Sequence, residues 1–171
     1  MNEINTVTLT PKQFQQRILA WFKIYGRKDL PWQQTKSPYR IWLSEIMLQQ
    51  TQVATVIPYF QNFIQAFPTL SSLAKADIEE VLHRWSGLGY YARARNLHRS
   101  AQIIEKEYFG KFPQDLMQLQ SLPGIGRTTA GAILALAFNK SASILDGNVK
   151  RVLTRVHAIP GSTALASVNK K

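Results

Sequence analysis

Apolar residues recur every three to four positions along most of the chain, which is the spacing of one face of an α-helix. Prolines, glycines and capping residues divide this pattern into a succession of short amphipathic helices. Alternation typical of a strand does not extend beyond Val7-Thr8-Leu9, so the pattern predicts an all-α fold. The predicted helices begin at Thr10-Pro11, Pro38, Val53, Asp77, Tyr90, Gln114, Thr128 and Asp146.

A proline and two glycines separate the predicted helices over 114–122 and 128–138. We expect both Gly124 and Gly126 to adopt positive φ in a tight turn. Helix, tight turn and helix together form a helix-hairpin-helix, whose exposed turn amides beside Arg127 suit a DNA phosphate. A plain connection between two helices would have the same local pattern.

The chain carries a strong excess of positive charge. It has 171 residues, with 21 Lys and Arg against 10 Asp and Glu, which gives a formal net charge of +11. The 45% of hydrophobic residues suffice for a globular core. The excess positive charge favours a polyanionic partner, above all nucleic acid. No apolar run is long enough for a membrane span and the first residues do not resemble a signal peptide. We therefore expect a monomer in the cytoplasm, associated with the nucleoid and not with membranes.

The chain contains no cysteine, which excludes disulfides and thiolate metal sites within it. Its three histidines, at positions 83, 98 and 157, lack the spacing of a metal-binding pair. We therefore assign no metal to side chains.

Glu45 begins a row of polar residues in a predicted helix. Glu45, Gln49 and Gln52 are spaced i, i+4 and i+7, so we expect them on one helix face. A solvated face would explain this spacing without any function. The apolar neighbours of the acid favour the protonated form of a carboxyl, which suits a general acid; these neighbours are Trp42, Ile46 and Met47.

Asp146 is the second candidate acid. It precedes Gly147-Asn148-Val149-Lys150 and fits the N-cap of the last predicted helix. Capping alone would account for it. A carboxylate at a helix N-terminus also stays ionised, which is the state that can stabilise a sugar cation.

Four segments make the chain resemble the MutY-type adenine DNA glycosylases of the helix-hairpin-helix DNA glycosylase superfamily. These segments are LSEIMLQQTQVATVIPYF (43–60), GLGYYARARNL (87–97), LPGIGRTTAGAIL (122–134) and ILDGNVKRVL (144–153). The resemblance runs in order from about Phe14 to Val156. It implies the helix-hairpin-helix DNA glycosylase fold, a six-helix barrel followed by the start of a second helical domain. The expected parts are an N-terminal helix over 1–26 that packs on the second domain, a barrel over 27–139 with the hairpin at 116–138, the start of the second domain over 140–160, and a tail over 161–171.

The resemblance implies hydrolysis of the N-glycosidic bond of adenine mispaired with 8-oxoguanine or guanine in duplex DNA. Glu45 would protonate the purine ring, Asp146 would stabilise the sugar cation, and water would complete the reaction. The related endonuclease III type has a nucleophilic lysine where this chain has Thr128. That difference predicts a glycosylase without lyase activity and disfavours a bifunctional thymine-glycol glycosylase.

The resemblance also implies further site residues. Those expected around the adenine pocket and the catalytic water are Arg27, Trp32, Thr128 and Asn148. Those expected to contact DNA are Gln49, Tyr90, Arg93, Arg95, Gly124, Gly126, Arg127 and Lys150. Core packing is the alternative for Tyr90. A solvated helix face is the alternative for Arg93 and Arg95, and the net charge favours phosphate contacts.

The chain departs from this family in two respects. The family binds a 4Fe-4S cluster through four cysteines, and this chain cannot bind it because it has no cysteine. In the family, the catalytic domain also continues for some tens of residues and is followed by a separate domain that reads 8-oxoguanine. Because the further helices of the catalytic domain normally support the segment with Asp146, we expect the position of Asp146 to be loose here. A monovalent cation at the hairpin backbone carbonyls remains compatible with the sequence. The alternative function is a catalytically inactive helix-hairpin-helix fragment that binds duplex DNA.

Overall fold

The computed structural model describes residues 9–159 and confirms the all-α prediction, since these residues contain helices and no strand. The predicted tail at 161–171 lies outside the described residues. The helices are α1 (Pro11–Tyr25), α2 (Pro38–Met47), α3 (Val53–Ala66), α4 (Leu70–Lys75), α5 (Ile78–Trp85), α6 (Ala92–Glu107), α7 (Leu116–Gln120), α8 (Arg127–Phe138) and α9 (Gly147–Val156).

Side-chain caps begin α1, α5 and α9 where the sequence predicts them. Thr10 accepts the amide of Gln13 and begins α1 with a capping box, and Asp77 accepts the amide of Glu79 at 2.7 Å to begin α5. The sequence pattern missed α4. Its six residues are too few for a visible apolar period, and Thr69 begins the helix with a second capping box.

The described chain falls into two compact units. Leu30–Ile144 form one of them, which holds α2 to α8 and which we call the core unit. The residues up to Asp29 and those from Leu145 onward form the other, which holds α1 and α9 and which we call the terminal unit. The division into domains after residues 26 and 139, with α1 packed on a second domain, stays a prediction.

Aromatic side chains fill the centre of the core unit. Trp42, Phe60, Phe63 and Trp85 are at most 1% exposed, and the Phe63 and Trp85 rings meet edge to face with centroids 5.9 Å apart. Burial of each such side chain contributes roughly 1.5–3 kcal/mol or more to folding. Helix α2 packs against α3, α6 and α8, so its orientation is fixed from several sides. This rigidity matters because α2 carries Glu45.

Candidate functional site

Glu45 lies on a helix whose residues are mostly buried. Ser37 caps α2, Pro38 occupies its first turn, and the six other residues between positions 41 and 47 are all buried. Glu45 alone in that stretch is half-buried. Packing of the core unit therefore fixes the backbone at Glu45, and the side chain is only partly exposed to solvent. Such a position suits an acid that must meet a substrate at a defined place.

The predicted row of Glu45, Gln49 and Gln52 on one helix face is wrong. Helix α2 ends at Met47, Gln50 adopts a left-handed φ of 56°, and Gln52 is the N-cap of α3. The left-handed residue redirects the chain, so helical spacing does not apply beyond Met47. Gln49 lies half-buried in the turn over 48–52, which we call the α2–α3 turn.

Arg93 occupies an interior position, so its predicted outward orientation is wrong. Its side chain is 8% exposed. The Nη1 group donates hydrogen bonds to the carbonyl oxygens of Ile46, Met47 and Gln49 at 3.0, 2.8 and 2.7 Å. The Nη2 group donates to Thr51 Oγ1, Leu88 O and Gly89 O at 3.2, 3.3 and 3.1 Å. These hydrogen bonds engage both Nη groups, which are the donors that a contact with a DNA phosphate would use.

Burial lowers the pKa of the Arg93 guanidinium from its ordinary value, and nearby Tyr90 opposes that shift. An arginine nevertheless remains charged in a protein. Two aromatic rings flank the charge, since the guanidinium carbon lies 5.5 Å from the Trp85 ring centroid and 5.4 Å from that of Tyr90. The carbonyl oxygens and the rings together offset the cost of burying this cation.

Tyr90 and Arg95 both face solvent. Tyr90 is 63% exposed and has a left-handed φ of 52°, which excludes the alternative that it packs in the core. It follows Gly87 and Gly89, both at positive φ, in a segment over 87–91 that we call the glycine turn. Arg95 is exposed on the first turns of α6. Exposed aromatic rings and exposed arginines are both typical of nucleic-acid contacts.

The helix-hairpin-helix is present, with α7 and α8 on either side of its turn. Gly124 has the expected positive φ of 75°, but Gly126 has φ of −84° and ψ of 175°, so the prediction of positive φ was wrong there. Gly126 is the N-cap of α8 without a side-chain cap, and Arg127 is exposed in the first turn. The first amides of α8 therefore lie at an open helix N-terminus, which favours an anion.

Two residues of α6 support the hairpin turn, and the sequence analysis missed both. Ser100 is fully buried and donates a hydrogen bond from Oγ to the carbonyl oxygen of Pro123 at 2.9 Å. An added Cβ on Gly124 would stand 3.0 Å from the Cβ of Asn96, whereas one on Gly126 would meet nothing within 4 Å. The sequence signal for Ser100 is a polar residue on the apolar face that Leu97 and Ile104 define.

The two glycines therefore predict different mutant behaviour. We expect Gly126→Val to keep the fold but to lose duplex DNA binding, because its backbone angles suit any residue while its methyl groups would cover the α8 amides. Gly124→Val should lose both binding and stability, because φ is positive and Asn96 is close. Thermal melting and fluorescence anisotropy with labelled duplex check this. Normal affinity of a folded Gly126→Val variant would reduce the hairpin to a plain turn.

Asp146 lies in the terminal unit and caps α9. Its Oδ1 accepts the amide of Val149 at 2.7 Å, and the side chain is half-buried. This hydrogen bond caps the first turn of α9 at the positive end of the helix dipole. Exposed Asn148 accepts a hydrogen bond on Oδ1 from Arg151 Nη2 at 2.7 Å, and Lys150 is half-buried. None of the residues of α9 is buried.

The other expected pocket residues have different environments. Trp32 is 7% exposed and packs edge to face on Phe60, with ring centroids 5.3 Å apart, so most of its surface belongs to the core. Thr128 is half-buried in the first turn of α8, and Arg27 is exposed in the terminal unit. Among the predicted site residues of the core unit, Gln49 and Tyr90 both contact the Arg93 guanidinium. The roles of all these residues in binding or excision stay predictions.

No helix within residues 9–159 is long and apolar enough to cross a membrane. In the same range, no three histidine, aspartate or glutamate side chains form a group that could hold a metal ion.

Several known proteins to which this chain is similar in sequence or structure are DNA glycosylases. An adenine DNA glycosylase of Buchnera aphidicola subsp. Acyrthosiphon pisum is 52% identical over 163 residues, which are 95% of this chain and 47% of that protein. The adenine DNA glycosylase of Homo sapiens is 45% identical over 165 residues, which are 90% of this chain and 30% of that protein. The chain thus spans about half the length, or less, of the curated relatives it matches.

A thermostable thymine-DNA glycosylase has a similar structure, with a TM-score of 0.78 at 30% sequence identity over 84% of this chain and 66% of that one. This similarity confirms the expected helix-hairpin-helix DNA glycosylase fold. Residues 43–170 match the family described as HhH-GPD superfamily base excision DNA repair protein. They include Glu45, the glycine turn, the hairpin and Asp146. With its hairpin, its fold and this match in agreement, the chain belongs to the HhH-GPD superfamily of base excision DNA repair proteins.

Proposed function

We propose that this chain carries the excision chemistry of an adenine DNA glycosylase. The reaction is hydrolysis of the N-glycosidic bond of adenine mispaired with 8-oxoguanine or guanine in duplex DNA. The observation that carries the proposal is the half-buried Glu45 on helix α2, which is mostly buried and packs against α3, α6 and α8. The identity to proteins named adenine DNA glycosylase supports the choice of base. The chain would act as a monomer on duplex DNA, in the cytoplasm and associated with the nucleoid.

In the proposed reaction, the mispaired adenine leaves the base stack before its bond to the sugar breaks. Glu45 donates a proton to the purine ring, and the electron pair of the glycosidic bond leaves with the base. The sugar becomes an oxocarbenium-like cation that Asp146 stabilises. Water then bonds to the sugar carbon and its released proton restores the acid. The two carboxyl groups differ in environment, which matches their different tasks.

Thr128 supports a reaction through water, because a hydroxyl in the first turn of α8 cannot replace a lysine that forms a covalent imine. Arg27, Trp32 and Asn148 would border the adenine and the reacting sugar. The chain supplies no thiolate ligand for an iron-sulfur cluster because it contains no cysteine. The backbone carbonyl oxygens of the hairpin would hold any monovalent cation that binds there.

Duplex DNA would be held mainly through its phosphates. The net charge of +11, the open N-terminus of α8 and the exposed Arg95 and Arg127 support this mode. Lys150, at the start of α9, would add a phosphate contact from the terminal unit.

We expect duplex affinity to fall steeply with salt, because each phosphate contact adds about 0.9 to the slope of log affinity against log salt. Arg95→Gln and Arg127→Gln should each lower that slope by about this amount. Lys106→Gln serves as the matched control, because Lys106 is an exposed cation near the far end of α6. Anisotropy titrations at several salt concentrations measure the slope. An affinity that does not depend on salt would contradict phosphate binding.

A single-turnover assay tests the proposed activity. Duplexes with adenine opposite 8-oxoguanine, guanine or thymine are incubated with excess protein and then treated with alkali, which cleaves at abasic sites. We expect strand cleavage for the first two duplexes and not for the third. Cleavage without alkali, with borohydride trapping of a protein–DNA adduct, would instead indicate a bifunctional enzyme.

A duplex-binding module without excision is the second candidate function. It is favoured by the absence of buried residues in α9, the helix that Asp146 caps, because a loosely supported carboxylate would be poorly positioned. Binding of all three duplexes without any cleavage would establish it.

A further inference from the structure

Two turns of the core unit each contain a residue in a conformation that side chains rarely adopt. Gln50 has φ of 56° in the α2–α3 turn, and Tyr90 has φ of 52° in the glycine turn. A left-handed residue other than glycine is strained, and it persists only where the surrounding structure fixes it. Such strain is concentrated at functional sites. The question is which contacts fix these two turns.

The Arg93 guanidinium contacts both turns with different nitrogen atoms. Nη1 bonds only to carbonyl oxygens of residues 46, 47 and 49, at the end of α2 and in the α2–α3 turn. Nη2 bonds to Leu88 O and Gly89 O in the glycine turn and to Thr51 Oγ1 across the gap. The planar guanidinium therefore sets the distance between the two turns.

The Arg93 guanidinium also contacts the ring of Tyr90. The Tyr90 ring lies over the guanidinium carbon at 5.4 Å while 63% of the residue remains exposed. Trp85 lies against the same cation and donates a hydrogen bond from Nε1 to Gly89 O at 3.1 Å. The exposed Tyr90 ring thus packs on a guanidinium that hydrogen bonds hold in place. A ring fixed in this way suits stacking against a nucleobase.

We propose that Arg93 is a positioning residue that couples the α2–α3 turn to the glycine turn, so that Gln49 and Tyr90 meet DNA as one rigid surface. The DNA part of this inference rests on the proposed function. It gives Arg93 a task other than the phosphate contact expected from sequence. The coupling also links both turns to α2, and hence to the helix that carries Glu45.

Lysine at this position provides a sharp test. Its single ammonium keeps the charge and can donate three hydrogen bonds, but one nitrogen atom cannot occupy both the Nη1 and Nη2 positions. Arg93→Lys should therefore hold one turn and release the other. Arg93→Met removes both sets of bonds and keeps an unbranched side chain. Lys106→Met is the matched control, since it removes an exposed cation from the same helix.

Amide hydrogen exchange of the DNA-free protein measures the coupling. The backbone amides of Thr51 and Leu88 donate hydrogen bonds within the two turns, to Leu48 O and Trp85 O. We expect exchange in at least one of the two turns to rise about tenfold in Arg93→Lys and in both turns in Arg93→Met, with the remaining helices unchanged. Unchanged exchange in both turns, or an equal rise across all helices, would overturn the coupling. Lys106→Met should match wild type.

A DNA measurement then separates positioning from mere stabilisation. 2-Aminopurine beside an adenine opposite 8-oxoguanine reports unstacking, and the same samples give the single-turnover rate. We expect folded Arg93→Lys to bind undamaged duplex within about twofold of wild type and to excise adenine about 10²-fold more slowly, with a weaker unstacking signal. Normal unstacking and excision would leave Arg93 with a structural role only. If wild type itself does not excise, the proposed function fails, and the exchange data alone decide the coupling.

Discussion

We expect Glu45→Gln to abolish adenine release while the fold and duplex binding remain. Glutamine preserves the size of the side chain and its hydrogen-bonding shape, and the buried residues that pack α2 between positions 41 and 47 are unchanged. The amide has no proton of suitable acidity to donate, and loss of a general acid commonly costs about 10²-fold or more in rate. Single-turnover excision of adenine opposite 8-oxoguanine is the measurement, with circular dichroism and anisotropy as checks of fold and binding.

Glu107→Gln is the control, because it makes the same chemical change at an exposed position of α6. It should excise at the wild-type rate. Equal rates for Glu45→Gln and wild type would show that another group supplies the proton.

Asp146→Asn should suppress excision to a similar degree without unfolding α9. Asparagine caps a helix nearly as well as aspartate, so the hydrogen bond from the Val149 amide is retained. It carries no charge to stabilise the sugar cation, and loss of such a stabilising group costs about 10²-fold or more. Asp146→Ala should lose excision and the cap together, with about 1 kcal/mol lower stability. Excision rates and thermal melts of both variants separate the two effects.

Asp115→Asn is the matched cap exchange, since Asp115 caps α7 through the amides of Met117 and Gln118. It should leave both rate and stability unchanged. If Asp146→Asn excises as fast as wild type, Asp146 is a cap and no more.

Local signals predicted the helices because each cap acts on its own few residues. Short-range hydrogen bonds to side chains fix where four helices begin. These helices are α1, α2, α5 and α9, which are capped by Thr10, Ser37, Asp77 and Asp146 respectively. The hairpin was predicted for the same reason, since a proline and two glycines define its turn. The predicted positive φ was right for Gly124 and wrong for Gly126, whose conformation depends on how α8 begins.

Tertiary contacts decided the features that the sequence analysis missed. In the sequence, the helical spacing of polar residues continues from Glu45 through Gln49 and Gln52. No neighbouring residue type signals the left-handed conformation of Gln50, at which the helical spacing ends in the structure. Arg93 resembles Arg95 in the sequence, yet one is buried and the other exposed. A signal for Arg93 did exist, because it lies four residues before Leu97 on the inward face of α6. Net charge argued for an outward position, and it cannot distinguish one arginine from the next.

The contacts of Arg93 have a genetic consequence. Five of its six acceptors are main-chain carbonyl oxygens, and Thr51 Oγ1 is the only side-chain acceptor among the bonds described. Codon changes at positions 46, 47, 49, 88 or 89 therefore leave every acceptor in place if the backbone keeps its path. Substitutions of the arginine itself should, for the same reason, find few suppressors in these turns.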